Sequence, residues 1–202
     1  MKIKYSLISI IPENSLEKLK ELQDKIFLLT WSELFRKQRP LHITVGAWNE
    51  LNEGEVENVC AELQKISWTH NAFEINLGGT AYKENSNLKK IDVSFEPYVV
   101  HIWVHVNQKL KNLVDDIDNI LRKYDIYFEI IPYTPHMTVA GRDLTKEGFE
   151  LLQKELQTFE FNTTVLIDSF SLVLAPCKEN NISTMQEIKR FQLQDNTLHS
   201  TI

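Results

Sequence analysis

Two of the chain's six histidines stand in near-identical pentads, LHITV at residues 41–45 and PHMTV at 135–139. In an extended chain successive side chains alternate between faces, so His42 and Thr44 share one face, as do His136 and Thr138. Ile43, Val45, Met137 and Val139 then point the other way. A pair of imidazoles suits acid–base chemistry, because a pKa near 6.5 lets one ring be neutral while the other is protonated around neutral pH. Threonine hydroxyls two residues further on can donate to the non-bridging oxygens of a phosphate held between the rings, stabilising charge as it shifts. Such a set fits in-line displacement at a phosphodiester. The neutral histidine takes a proton from water or a ribose hydroxyl, and the imidazolium protonates the departing oxygen. That chemistry opens a 2',3'-cyclic phosphate, cleaves a 2',5' linkage or, reversed, joins ends. It needs no metal ion or other cofactor, and either histidine can serve as the base in the forward direction.

Weaker candidates surround the pentads. Lys37 and Arg39 precede the first and Arg142 follows the second, where each can add positive potential near a phosphate or simply face solvent. His101, Trp103 and His105 alternate along VVHIWVHV at 99–106 and so share a face. If that face borders the same cleft, Trp103 can stack a base and the two histidines can touch phosphate or sugar. With no carboxylate or cysteine at suggestive spacing, a structural use of these histidines is favoured over a metal pair. Tyr5, Trp48 and Tyr133 are further stacking candidates that serve equally well as core filler.

The elements that must position these residues repeat along the chain. A strand over 3–11 leads to a helix over about 15–30, with Leu16, Leu19, Leu22, Ile26 and Leu29 on one face and Asn14 and Glu17 in capping-box spacing. The strand LHITVGAW follows. Next come a helix over about 53–66, carrying Val56, Val59, Cys60, Leu63 and Ile66, and a strand at 73–79. The second half runs in the same order: strand 99–106, helix 108–123, strand 135–141, helix 145–157 and one long strand at 163–175. His136 follows His42 by 94 residues, and that single shift brings every element of the first β-α-β-α-β unit to within a few residues of its counterpart. The pattern predicts an α+β fold made of two repeats, about 3–80 and 97–174, packed about a pseudo-twofold axis within one domain over 1–202. Helices cover the apolar face, and the His and Thr face lines a groove between the halves. The stretch KENSNLKKIDVSFEP at 83–97 reads as an insert between the repeats, and 195–202 as a frayed tail.

Composition is that of an ordered globular protein, with 43% hydrophobic and 25% charged residues in a chain of 202. A net charge of -6 argues against broad adhesion to nucleic-acid backbones, while leaving room for a local phosphate site. Lys2 and Lys4 precede a short apolar run in the manner of a secretory leader. The run alternates with polar residues and no small-residue cleavage site follows, so it reads as the first strand. No window approaches the roughly 20 apolar residues of a membrane span. Cys60 on a helical face and Cys177 after a proline suit reduced thiols, so a cytoplasmic location is expected, with no membrane and no obligate protein partner.

HITV at 42–45 and PHMTV at 135–139 also resemble the paired His-apolar-Thr/Ser-apolar motifs of the 2H phosphoesterase superfamily. That superfamily includes bacterial 2',5'-RNA ligase-like proteins, cyclic phosphodiesterases and 2',5'-oligoadenylate phosphodiesterases. The similarity in layout spans about residues 3–194, and the proline before the second histidine agrees with it. The resemblance implies a bilobal α+β fold with antiparallel sheets around a central cleft and helices on the outer faces. It also implies His42 and His136 as catalytic residues, Thr44 and Thr138 as phosphate ligands, and no metal cofactor. The expected activity is a metal-independent phosphodiesterase acting on a small nucleotide or single-stranded RNA. The competing expectation is a module on the same fold that binds an RNA end or cyclic nucleotide without turnover. Intact motifs in both halves favour the enzyme, since binding alone needs no matched proton donor and acceptor.

Overall fold

Each stretch with helical spacing folds as a helix: α1 (Glu17–Thr30), α2 (Glu53–Ser67), α3 (Gln108–Lys123) and α4 (Lys146–Glu155). The computed structural model describes residues 2–3, 5–10, 17–34, 41–47, 51–85, 95–124, 134–156, 161–174 and 185–195, with backbone only at 2–10, 47 and 51–53. Helix α3 begins where predicted because the Asn107 side chain accepts from the Leu110 amide, and Thr145 caps α4 by accepting from Gly148. The apolar stripes are buried: Leu19, Leu22 and Ile26 on α1, Val59, Cys60, Leu63 and Ile66 on α2, Leu110, Leu113, Ile117 and Leu121 on α3, and Phe149 and Leu152 on α4. The predicted cap Asn14 and the stripe residue Leu16 lie outside the described residues, as do Cys177 and nearly all of the tail.

The strands are β1 (Lys2–Ile3), β2 (Tyr5–Ile10), β3 (His42–Ala47), β4 (Leu51–Asn52), β5 (Phe73–Glu84), β6 (Glu96–His105), β7 (His136–Arg142), β8 (Asn162–Ile167), β9 (Ser169–Leu174) and β10 (Gln186–Gln192). Strands β1 and β4 form a small pair, and the other eight form one antiparallel sheet in the order β10-β9-β2-β3-β7-β6-β5-β8. Elements about 94 residues apart take mirror places in that order, β3 beside β7, β2 opposite β6, and β9 opposite β5. The third strand of each predicted unit therefore pairs with the first strand of the other, β5 with β6 and β9 with β2. Helix packing crosses in the same way, since α1 lies on α4 and β7 while α3 lies on α2 and β3.

Three sequence expectations change. The long strand predicted at 163–175 is two strands broken at Asp168, β8 pairing with β5 and β9 with β2 and β10. Six strand spacings separate β8 from β9 in the sheet order. A flat sheet would hold them roughly 29 Å apart at about 4.8 Å per step. The chain passes from Ile167 to Ser169 within about 7 Å, so the sheet must curl until its flanks approach. The ends of the predicted insert at 83–97 belong to strands, with Lys83 and Glu84 in β5 paired to Val99 and Tyr98 of β6. Strand β10 was not anticipated. Only Phe191 of its seven residues is buried, so it carries almost no apolar signal.

Candidate active site

Strands β3 and β7 meet, among the described residues, at one residue pair, Ile43 opposite Met137. Both side chains are fully buried, as are Val45 and Val139 beyond them, against the helices. Antiparallel pairing about that point places His42 opposite Thr138 and Thr44 opposite His136, all four on the face away from the helical core. Each is half-buried, neither sealed in nor fully in solvent. In a regular ladder directly opposed residues lie about 5 Å apart and diagonal ones about 7–8 Å. The two histidines are diagonal across that pair.

The His136 ring has a defined proton. Its Nδ1 lies 2.9 Å from the Thr134 carbonyl oxygen. A carbonyl only accepts, so Nδ1 carries the hydrogen and Nε2 is left as the atom that takes or gives a proton. Strand β6 brings a third imidazole to the same place. His101 pairs with Thr138 across the strands, and its Nδ1 lies 3.0 Å from Thr138 Oγ1. Its ring centroid is 4.2 Å from that of His136, the planes inclined at 62°. His101 is only 9% exposed. Burial first, then the neighbouring positive charges of His136 and Lys83, pull its pKa down to about 3.

Trp103 lies opposite His136 in the β6–β7 register and is 40% exposed. Beside it, β5 is irregular between Gly78 and Thr80, and Gly79 adopts a φ of 72°, a conformation costly for any residue with a Cβ. Gly78 leaves room for the His105 ring of β6, whereas Gly79 is needed for its backbone conformation and not for space. A Cβ on Gly79 would stand 3.7 Å from Trp103 Cδ1, and one on Gly78 would stand 3.0 Å from His105 Nε2.

The geometry accords with a match over most of the sequence. The sequence model of the 2'-5' RNA ligase superfamily matches residues 12–175. The chain belongs to that superfamily. Solved structures of the same fold include TT0787 of Thermus thermophilus, at 18% identity and a TM-score of 0.68, covering 96% of this chain and 100% of that one. Escherichia coli LigT complexed with 3'-AMP follows, at 14% identity and a TM-score of 0.64, with 96% and 99% covered. A structure described as a phosphoesterase aligns at 12% identity and a TM-score of 0.62, again over 96% and 99%. No curated protein matches the chain. The antiparallel α+β architecture implied by the resemblance is thus the observed one, with eight strands joined in a single curled sheet where separate sheets were expected.

Not every sequence candidate of this superfamily member converges on the two pentads. Arg142 ends β7, six residues from His136, or about 20 Å along a strand at about 3.3 Å per residue. Its φ is 66°, and its guanidinium lies 4.7 Å from the centre of the Phe95 ring. His105 is exposed at the end of β6. Tyr5 opens β2 with its backbone opposite Leu174. Lys37, Arg39, Trp48 and Tyr133 lie outside the described residues. No helix among the described residues is long and apolar enough to cross a membrane. Sequence reasoning missed the contact of His101 with both Thr138 and His136. Its signal was hidden by a register shift between Val100 and His101, which no residue spacing reveals.

Proposed function

We propose that the chain is a metal-independent phosphodiesterase that opens 2',3'-cyclic phosphates or cleaves 2',5' linkages in small nucleotide or single-stranded RNA substrates. The observation that carries this reading is the meeting of the two pentads at Ile43 and Met137, which sets each histidine across from the other motif's threonine. His42 and His136 are the acid–base pair, one taking the proton of the attacking hydroxyl or water and the other protonating the leaving oxygen. Thr44 and Thr138 donate to the non-bridging oxygens as charge builds there. Trp103, exposed beside His136, is a platform for the base of the nucleotide. Lys37 and Arg39, close before β3 in sequence, add positive potential on approach. The two β-α-β-α-β units are read as lobes of a single domain, and the buried, unpaired Cys60 suits a reducing cytoplasm.

The test is hydrolysis of 2',3'-cyclic nucleotides and 2',5'-linked dinucleotides in excess chelator, with His42→Ala and His136→Ala alongside. Turnover that each substitution lowers by at least about a hundredfold, with nucleotide binding retained, supports the proposal. Binding without turnover by the unmodified protein would replace it with a binding module, and turnover only on adding a divalent metal would replace the mechanism.

A further inference from the structure

The two halves of the site are not equivalent, and the difference lies in the strand outside each motif. In the first half, Ile10 stands opposite His42 and Ile8 opposite Thr44. In the second, Trp103 stands opposite His136 and His101 opposite Thr138. An isoleucine offers a threonine no hydrogen-bonding group, whereas an imidazole does. We propose that His101 is a positioning residue of the second motif, its Nδ1–H donating to Thr138 Oγ1 so that the threonine's own hydroxyl proton is left for a phosphate oxygen. The inference rests on the functional reading above and extends it to a residue that lies beside the pentads.

The direction of the bond follows from what the site must do. A threonine hydroxyl has one proton and can rotate it toward any nearby acceptor. If His101 Nδ1 accepted that proton, Thr138 would present only lone pairs to an anionic phosphate, which is repulsive. With the proton on Nδ1, the hydroxyl oxygen is anchored at 3.0 Å and its hydrogen is free to point elsewhere. Burial and the adjacent His136 also disfavour a charged His101, so the ring sits 4.2 Å from His136 without opposing an imidazolium there. A lysine or arginine at position 101 would donate as well but would suppress protonation of its neighbour. The neutral imidazole is the donor compatible with both motif residues.

Steady-state kinetics on a 2',3'-cyclic nucleotide test this with His101→Leu and His101→Asn, each alone and combined with Thr138→Val. The asparagine amide can place an N–H near the position of the imidazole Nδ1. The expected result is a loss in kcat of roughly tenfold for His101→Leu at little-changed KM, mostly restored by His101→Asn. In the Thr138→Val background His101→Leu should have no further effect. A His101→Leu variant as active as the parent, or one whose loss is undiminished in the Thr138→Val background, would overturn the proposal, and melting temperatures separate either result from misfolding. If the parent turns over no phosphodiester, the functional reading fails separately. Imidazole nitrogen NMR and inorganic phosphate titration then decide the positioning role. An Nδ1–H tautomer, with phosphate binding weakened in His101→Leu and kept in His101→Asn, supports it, whereas an Nε2–H tautomer or unchanged binding removes it.

Discussion

Lowering the pH from 7 to 5 is expected to cost the fold about 2 kcal/mol through His101 alone, and the sign follows from where its proton resides. In the unfolded chain the ring titrates near 6.5, and in the fold near 3, because it is buried and faces the positive charges of His136 and Lys83. At pH 7 both states hold it largely neutral, so little is lost. Between 6.5 and 3 the unfolded state binds a proton that the folded state refuses, and stability falls as the pH drops through that window. Each pH unit there is worth about 1.4 kcal/mol, so pH 5 brings a loss of about 2 kcal/mol. That figure holds for any folded-state value below about 4 and does not hinge on the last unit. Urea unfolding at pH 7.0 and 5.0, for the parent and for His101→Asn, measures it, since other titrating groups contribute to both proteins. The parent should lose about 2 kcal/mol more than the variant over this interval. Equal losses would refute the reasoning, because they would mean that His101 is protonated as readily inside the fold as outside it.

Three other predictions concern separate parts of the molecule. Gln23 is buried on α1, and its Nε2 has no partner among the described residues, so Gln23→Leu should stabilise the protein by about 1 kcal/mol in thermal or urea melts. The Asp143 carboxylate accepts from Ser32 Oγ and from the amides of Glu33 and Leu34, tying the end of β7 to the chain that leaves α1. Asp143→Ala should cost about 2 kcal/mol and speed hydrogen exchange at those two amides, whereas unchanged exchange would show that the carboxylate holds nothing there. Trp103→Ala should raise the KM for cyclic nucleotides by roughly tenfold while leaving inhibition by inorganic phosphate unchanged, as expected if it contacts the base and not the phosphorus.

Local patterns carried most of what the sequence disclosed. Helix α3 was legible because a continuous stripe from Leu110 to Leu121 runs along it at helical spacing. The pentads were legible because alternation alone separates His42 and Thr44 from Ile43 and Val45. Long-range pairing was not. TTVLIDSFSLVLA is uniformly strand-like, and nothing in it shows that residues before Asp168 join one flank while those after it join the other. Strand β10 escaped because EIKRFQ presents charges on both faces and is held by backbone bonds to β9. The role of His101 escaped for a related reason, since one extra residue in β7, Val139, falls between the partners of Val100 and His101 and decides which side chain meets Thr138.

Asp168 works as the clasp of a bracelet. Its two neighbours along the chain belong to strands on opposite flanks, and its carbonyl also receives the Leu193 amide and the Gln192 side chain, so the curled sheet is fastened there by covalent bonds and hydrogen bonds together. At the middle of the same eight-stranded sheet, β3 and β7 are joined, among the described residues, by a single residue pair. A sheet fastened firmly between its flanks and lightly at its middle yields first at the middle, and that is where both histidines stand.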